Sequence, residues 1–295
     1  ATFECSGIAG FSLCQKAHTK VCYSTKSKIL KFVIPSLLVV AFLSIFWAQD
    51  KGLAFYASTK ILEGVLLFWM VTTIKFSFTK LGMAFVGSAL VQAGLGIWQF
   101  LTQSAFANKW LGLAFQDPGK WGTSVIQTST LRFLRAHGSF HPNVLGAFLA
   151  LSCLICMGLY LNTKNRYQKF FSLFSFCAIN LALFFTFSRE AGLAYFLSFL
   201  FLITITHFKK IKKEILCFLG IAILIVIIFS LILPDLVLAR INVTDAGAMK
   251  SLVKRNLYFQ DAKQLIFSRG VLGVGVGNFT LAVRNIIDET RPVWD

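Results

Sequence analysis

Long apolar runs separated by short polar connections dominate the chain from residue 29 to residue 233. A helix rises about 1.5 Å per residue, so about 20 apolar residues cross the roughly 30 Å hydrocarbon layer of a bilayer. The pattern therefore predicts an all-α, polytopic transmembrane helical protein. The predicted spans cover residues 29–48, 52–73, 81–101, 142–161, 170–187, 191–206 and 215–233.

Composition agrees with this pattern. Hydrophobic residues make up 56% of the 295 positions and charged residues only 14%, whereas a soluble domain carries about 25% charged residues. The formal net charge is +17. In a soluble protein such a charge would suggest nucleic acid, but basic cytoplasmic loops explain part of it in a membrane protein. We therefore expect no nucleic-acid partner.

The basic residues of the short connections predict the orientation. The connections after the second, fourth and sixth spans carry nine Lys and Arg, against two after the first and fifth. Because cytoplasmic loops are the basic ones, residues 1–28 form a cytoplasmic segment, and the loop 102–141 and the segment 234–295 lie outside. These two outer segments still carry twelve Lys and Arg, which favours an anionic ligand at the outer face.

One Arg–Glu pair interrupts the apolar sequence between the fifth and sixth spans. Ser188 is a plausible N-cap for the sixth span, and Arg189 lies beside the free amide groups of that helix start. An arginine at such a place makes an anion site. The alternative is that Arg189 extends to the interface or is neutralised by Glu190.

A second arginine interrupts an apolar stripe in the outer segment, where the pattern predicts a helix at about 245–269. Arg255 shares one face of this helix with Leu252, Phe259, Ala262 and Ile266. A charge buried in such a stripe needs a partner, which is a carboxylate in a structural role or a phosphate in a functional one. The glycines at 273, 275 and 277 that follow predict a tight turn.

The stretch Arg135–Asn143 leads from the outer loop into the fourth span. Gly138 and Pro142 argue against a single helix through its two histidines, so a zinc site is not expected. The candidate substrate contacts in this stretch are Arg135, His141 and Asn143. The chain has no Asp-x-Asp pair, so we expect no metal and no cofactor, and arginines would replace the metal as the clamp for a pyrophosphate.

Three stretches resemble the O-antigen ligase and O-antigen polymerase family of bacterial inner-membrane proteins. They are FHPNVLGAFLAL at 140–151, FTFSREAGLAYF at 185–196 and SLVKRNLYFQDAKQLIFSRGVLGVGVGNF at 251–279. The resemblance implies a multi-pass glycosyltransferase with an extracytoplasmic active face. Such an enzyme takes a glycan from a polyprenyl-pyrophosphate carrier and transfers it to lipid A core, a glycan or a protein. By position, Arg189 and Arg255 match the family arginines that hold the donor pyrophosphate.

Two features depart from the family pattern. Glu190 stands where the family has Gly or Ala, and no His follows His207, although the family's catalytic His lies beyond the glycine-rich turn. We therefore expect a carboxy-terminally truncated piece that ends before further spans and lacks the catalytic His. The choice between ligase, polymerase and protein-glycosylating ligase stays open. The alternative function is a transporter or lipid-handling protein that binds phosphate groups without catalysis.

Overall fold

The structure is a computed structural model that describes residues 33–74, 77–110, 112–120, 122–128, 131–206, 209–241 and 246–284. Helices make up most of these residues, which confirms the predicted all-α, polytopic helical fold. The segment 1–28 and residues 285–295 lie outside the described residues. The membrane orientation stays a prediction.

Ten helices, one single-turn 3-10 helix (Gly270–Leu272) and one two-stranded sheet occur in the described residues. The helices are α1 (Val33–Phe46), α2 (Lys51–Thr73), α3 (Phe78–Thr102), α4 (Pro142–Asn162), α5 (Arg166–Phe185), α6 (Arg189–Ile205), α7 (Lys209–Ile232), α8 (Pro234–Ile241), α9 (Ala246–Arg269) and α10 (Phe279–Arg284). The strands β1 (Val125–Gln127) and β2 (Arg132–Leu134) pair antiparallel, with Ile126 opposite Phe133.

Five of these helices are long and apolar enough to cross a bilayer, namely α2, α3, α4, α5 and α7. The helix α6 has 17 residues, which is at the lower end of spanning length. The described part of α1 is also short, since it begins at residue 33. The chain is therefore a multi-pass membrane protein, and the seven-span count stays a prediction.

The chain divides into two compact units. One comprises Phe76–Ser251 and is called the bundle unit here. The other comprises Ala1–Lys75 with Leu252–Asp295. In the bundle unit α3 to α7 pack side by side around a core of aromatic and aliphatic side chains. Phe176 and Phe218, both fully buried, meet edge to face with ring centroids 4.7 Å apart, a favourable aromatic geometry.

Consecutive helices of the bundle unit run in opposite directions, so the helix ends that carry Arg135, Asn143 and Arg189 or lie next to them meet at one end of the unit. The end of α3, the start of α4, the end of α5, the start of α6 and the end of α7 lie there, together with β1, β2 and α8. This is called the arginine end below. The opposite end carries the basic residues around the α4–α5 connection and the lysines at the start of α7.

The glycine-rich segment forms the tight turn that the sequence predicts. Gly273, Gly275 and Gly277 all have positive φ, which glycine adopts without steric penalty. A Cβ on Gly275 would lie 2.7 Å from the Cβ of Ala48, so only glycine fits this close approach. Asn278 adds a second contact in the unit that comprises Ala1–Lys75 and Leu252–Asp295. Its Oδ1 accepts from the backbone amide of Asp50, at the α1–α2 junction, at 2.7 Å.

The apolar stripe of α9 does not form its buried face. Arg255, Phe259 and Ile266 are exposed, whereas Asp261 and Leu265 are buried. Leu265 packs in a small cluster with residues of α10. The interpretation of Arg255 as a charge inside a buried stripe is therefore wrong, because tertiary contacts select a neighbouring face of the helix.

Gly146 on α4 tests how closely the helices approach at the arginine end. A Cβ there would lie 3.0 Å from the Cβ atoms of both Ser188 and Ala191. We expect Gly146→Ala to lower the free energy of unfolding by about 1–2 kcal/mol, because neither neighbour can move without its backbone. Gly158 of the same helix has open space around it, so Gly158→Ala should be neutral or stabilise by up to about 1 kcal/mol. Thermal unfolding in detergent compares the two variants, and equal shifts would contradict this packing.

Candidate functional site: an arginine cluster at the mouth of an apolar groove

A strained turn joins α5 to α6 at the arginine end. Phe187 has a φ of 46°, a left-handed conformation that is rare for a bulky residue. Side chains of the turn support it, since the Thr186 hydroxyl donates to the carbonyl of Leu183 at 2.7 Å. The Ser188 hydroxyl accepts from the amide of Ala191 at 3.4 Å, which confirms the predicted N-cap of α6.

Three arginines from three different elements meet around this turn. Arg135, which follows β2, donates through Nε to the carbonyl of Thr186 at 2.7 Å. Arg240 of α8 donates through Nε to the carbonyl of Phe187 at 2.9 Å. Arg189 donates through Nη1 to the backbone carbonyl of Arg240 at 3.4 Å. Consecutive carbonyl groups therefore hold two guanidinium groups next to each other, and the third lies at the start of α6.

The three arginines range from buried to exposed. Arg135 is 6% exposed, Arg240 is half-buried and Arg189 is exposed. Burial, followed by the positive charges of Arg240 and Arg189, lowers the pKa of Arg135 to about 9, while Glu190 acts in the opposite sense. Arg135 still carries its charge at neutral pH. Like charges in a poorly solvated place create a strong positive potential, which an anion would relieve.

Asn143 and His141 join the cluster from the start of α4. Arg135 donates through Nη2 to Oδ1 of Asn143 at 2.8 Å. His141 accepts at Nδ1 from the amide of Asn143 at 3.3 Å, and its Nε2 lies 3.2 Å from the hydroxyl of Ser124. Because Nδ1 accepts, Nε2 carries the proton in the neutral ring and donates to Ser124. Burial and the charge of Arg135 lower the pKa of His141, so the ring is neutral near pH 7 and both nitrogens are occupied.

Glutamines of α3 fix the segment that carries Arg135. Gln99 is fully buried; its Oε1 accepts from the amides of His137 and Gly138, and its Nε2 donates to the carbonyl of Gly138. Gln92 accepts from the amide of residue 139, and Gln103 accepts from that of residue 134. The spacing of seven residues places Gln92 and Gln99 on one face of α3, and Gln103 is the residue that directly follows this helix. Through these hydrogen bonds the three side chains hold the backbone of residues 134–139 in place, and they are called the polar template below.

An apolar groove of about 450 Å³ begins beside the cluster and runs between α5, α6, α7 and α8. Ser188, Arg189 and Arg240 line its polar end. Along α6 the lining reaches Phe199, ten residues beyond Arg189, which is about 15 Å of helix. Other apolar lining residues are Leu183, Phe187, Phe196, Ile223, Val226 and Ile227. The groove thus combines a cationic end with a long apolar body.

The groove opens sideways as well as toward the arginine end. Phe196 on α6 is 44% exposed, and Ile223 and Ile227 on α7 are 43% and 51% exposed. Apolar side chains this exposed on membrane helices face lipid. The groove is therefore exposed on its lipid-facing side as well as at the arginine end.

The structure brings together four of the five residues that the sequence singled out: Arg189, Arg135, His141 and Asn143. Arg255 lies in the other unit, on the exposed side of α9. Within the described residues, no group of three or more His, Cys, Asp or Glu side chains lies close enough to hold a metal ion.

Sequence reasoning missed Arg240 and the glutamines of α3. The signal for Gln92 and Gln99 is present, because two amides on one face of an apolar span need polar partners. The signal for Arg240 is weaker: it is a basic residue in a short helix directly after a span. Its partner is a backbone carbonyl in the α5–α6 turn, which no sequence pattern specifies.

Gln99→Leu tests the polar template. The change keeps the side chain near its original size but leaves three buried backbone groups without a partner, so the free energy of unfolding should fall by about 2–5 kcal/mol. Val91→Leu is the control on the same helix, because Val91 is 64% exposed and such a change has an effect within about 0.5 kcal/mol. Unfolding in detergent measures both. A loss below 1 kcal/mol for Gln99→Leu would contradict the template.

Comparison of the chain with protein-family models, with curated proteins and with solved structures gives no match. The resemblance to the O-antigen ligase and polymerase family therefore rests on the three sequence stretches alone. What that resemblance implies about activity is a proposal.

Proposed function

We propose that this protein is an O-antigen ligase-like membrane glycosyltransferase. It transfers a glycan from a polyprenyl-pyrophosphate carrier to a lipid, glycan or protein acceptor, at the extracytoplasmic face of the bacterial inner membrane. The observation that carries the proposal is the arginine cluster at the polar end of a lipid-accessible groove. The type of reaction is inferred from the sequence resemblance.

The shape and charge of the site suit an amphiphile with a phosphate head. Guanidinium groups bind phosphate oxygens through two parallel hydrogen bonds, which a single lysine ammonium does not provide. The groove next to Arg189 and Arg240 is apolar for about 15 Å along α6. A polyprenyl chain is a continuous hydrocarbon tail directly attached to phosphate, and it matches this distribution of polarity.

The chemistry of glycan transfer gives the arginines a role. The bond between the anomeric carbon and the pyrophosphate oxygen breaks, and the pyrophosphate leaves with the electron pair. The acceptor hydroxyl oxygen bonds to the same carbon, and its proton passes to a base. Negative charge grows on the pyrophosphate in the transition state, where preorganised cationic donors stabilise it most. In this proposal Arg189 and Arg240 take this role, and Arg135 supports the α5–α6 turn through its bond to the carbonyl of Thr186.

The charge distribution of the bundle unit supports the proposed orientation. The end opposite the cluster carries Lys164 on the α4–α5 connection, Arg166 and Lys169 at the start of α5, and Lys212 and Lys213 at the start of α7. Short basic connections are retained in the cytoplasm. The cluster then lies on the extracytoplasmic side, where a lipid-linked glycan would present its pyrophosphate.

A second candidate function is phosphate-lipid binding without catalysis, in a transporter or lipid-handling protein. The occupied nitrogens of His141 favour it, because this histidine does not offer a free lone pair to an acceptor hydroxyl. The groove and the cluster would serve this function equally well.

Substitution of the arginines separates these possibilities. In the complete protein, Arg189→Gln and Arg240→Gln should each weaken binding of a radiolabelled polyprenyl pyrophosphate about 10- to 100-fold, because each removes a charge-assisted hydrogen bond worth about 1.5–3 kcal/mol. Glycan transfer in vesicles should fall at least as much. Arg166→Gln is the matched control, since Arg166 is exposed at the opposite end.

The outcomes distinguish the two functions. Loss of both binding and transfer supports the glycosyltransferase. Arginine-dependent binding by a wild-type protein that transfers no glycan favours the non-catalytic function. Binding that neither substitution weakens would remove the cluster from the site.

A further inference from the structure

A short hairpin follows α3 at the arginine end and carries exposed aromatic side chains. Its two segments pair through backbone hydrogen bonds between Ala105 and Gln116 and between Asn108 and Leu113. The Asn108 side chain also accepts from the amide of Trp110 at 2.9 Å, which fixes the tip. These bonds hold together the described residues of the hairpin 105–116, which are all but residue 111.

The hairpin combines buried and exposed apolar residues. Ala105 and Leu113 are buried, at 1% and 6% exposure. The aromatic side chains are exposed: Phe106 is 40% exposed, Phe115 is 51% exposed and Trp110 at the tip is 95% exposed. Three large aromatic side chains on one small element form an apolar surface that the described residues leave uncovered, and such a surface marks an interaction site.

This surface continues the lipid-facing surface of α3. The ring of Trp98 on α3 is 41% exposed and meets the ring of Phe106 edge to face at 5.4 Å. Leu101, in the last turn of α3, is 70% exposed. Since α3 is one of the helices apolar enough to span a bilayer, its exposed side chains contact hydrocarbon. The hairpin begins where α3 ends, which is the level of the lipid headgroups.

Lysines accompany the aromatic side chains. Lys109 lies next to Trp110 at the tip and is exposed, and Nζ of Lys120 lies 4.3 Å from the ring centroid of Phe115. Trp and Tyr are enriched where hydrocarbon meets water. Apolar faces flanked by lysine bind interfaces of anionic lipids, because the amines contact lipid phosphates while the rings lie below them.

We propose that the hairpin 105–116 is an interfacial membrane anchor. Trp110, Phe106 and Phe115 insert into the headgroup region of the leaflet at the arginine end, and Lys109 and Lys120 contact lipid phosphates. The anchor does not require that the protein transfers a glycan.

The anchor also bears on the arginine cluster. Gln103, directly before the hairpin, accepts from the amide of Leu134 at 2.7 Å, and Arg135 is the next residue. The hairpin and the cluster therefore share one rigid attachment to the end of α3. Anchoring the hairpin at the headgroups sets the level of Arg135 relative to the lipid phosphates.

Depth-dependent quenching tests the anchor in the full chain, reconstituted in vesicles that contain anionic phospholipid, which attracts basic segments. An environment-sensitive fluorescent amino acid replaces Trp110 and, in separate variants, Leu224 and Lys164. Leu224 is 55% exposed on α7 and marks the hydrocarbon; Lys164, in the connection between α4 and α5, marks water. The quenchers are phospholipids with a nitroxide on the headgroup or deep in the acyl chain, and aqueous iodide.

If the hairpin is inserted at the headgroups, the headgroup nitroxide should quench the fluorophore at position 110 several-fold more than iodide does. The label at Leu224 should respond to the acyl-chain nitroxide and the label at Lys164 to iodide. Replacing Phe106 and Phe115 together by Ser should shift position 110 toward iodide quenching. Strong iodide quenching at position 110 with no effect of lipid nitroxides would overturn the anchor. So would protection from iodide that appears only on adding a soluble glycan, which would identify a sugar-binding surface instead.

Discussion

Two consecutive carbonyl groups in one strained turn hold two arginines side by side, and the rest of the candidate site depends on this arrangement. Arg135 binds the carbonyl of Thr186 and Arg240 binds that of Phe187. The left-handed conformation of Phe187 presents both carbonyls to elements that are distant in sequence. Guanidinium groups repel one another, so the turn and the glutamines of α3 must hold them in place. Such strain and repulsion persist at functional sites, where a ligand relieves them.

The sequence predicted the coarse architecture because hydrophobic length is a strong signal. It also predicted the cap at Ser188, which local hydrogen-bonding preference determines. Arg135, Arg189 and Asn143 could be named as candidates because charged and polar groups stand out in an apolar chain. Each of these predictions depends only on the residues of a single segment and not on its contacts with others.

The remaining features depend on contacts between segments. Arg240 joins the cluster through a backbone carbonyl of another element, and a carbonyl carries no sequence signature. The stripe of α9 predicted a buried Arg255, but packing against α10 buries the face of Asp261 and Leu265. Helical periodicity identifies residues that share a face, and only the tertiary partner decides which face is covered.

Photocrosslinking from the groove tests the central claim most directly, which is that a phosphate lipid occupies the groove with its head at the arginines. A benzophenone amino acid at Ile223 lies in the groove, whereas the same group at the adjacent Leu224, which does not line it, faces outward. We predict that Ile223 captures radiolabelled polyprenyl pyrophosphate strongly, and that combining it with Arg189→Gln and Arg240→Gln abolishes capture. Equal capture at the two positions, or capture at Ile223 that persists without the two arginines, would contradict the account.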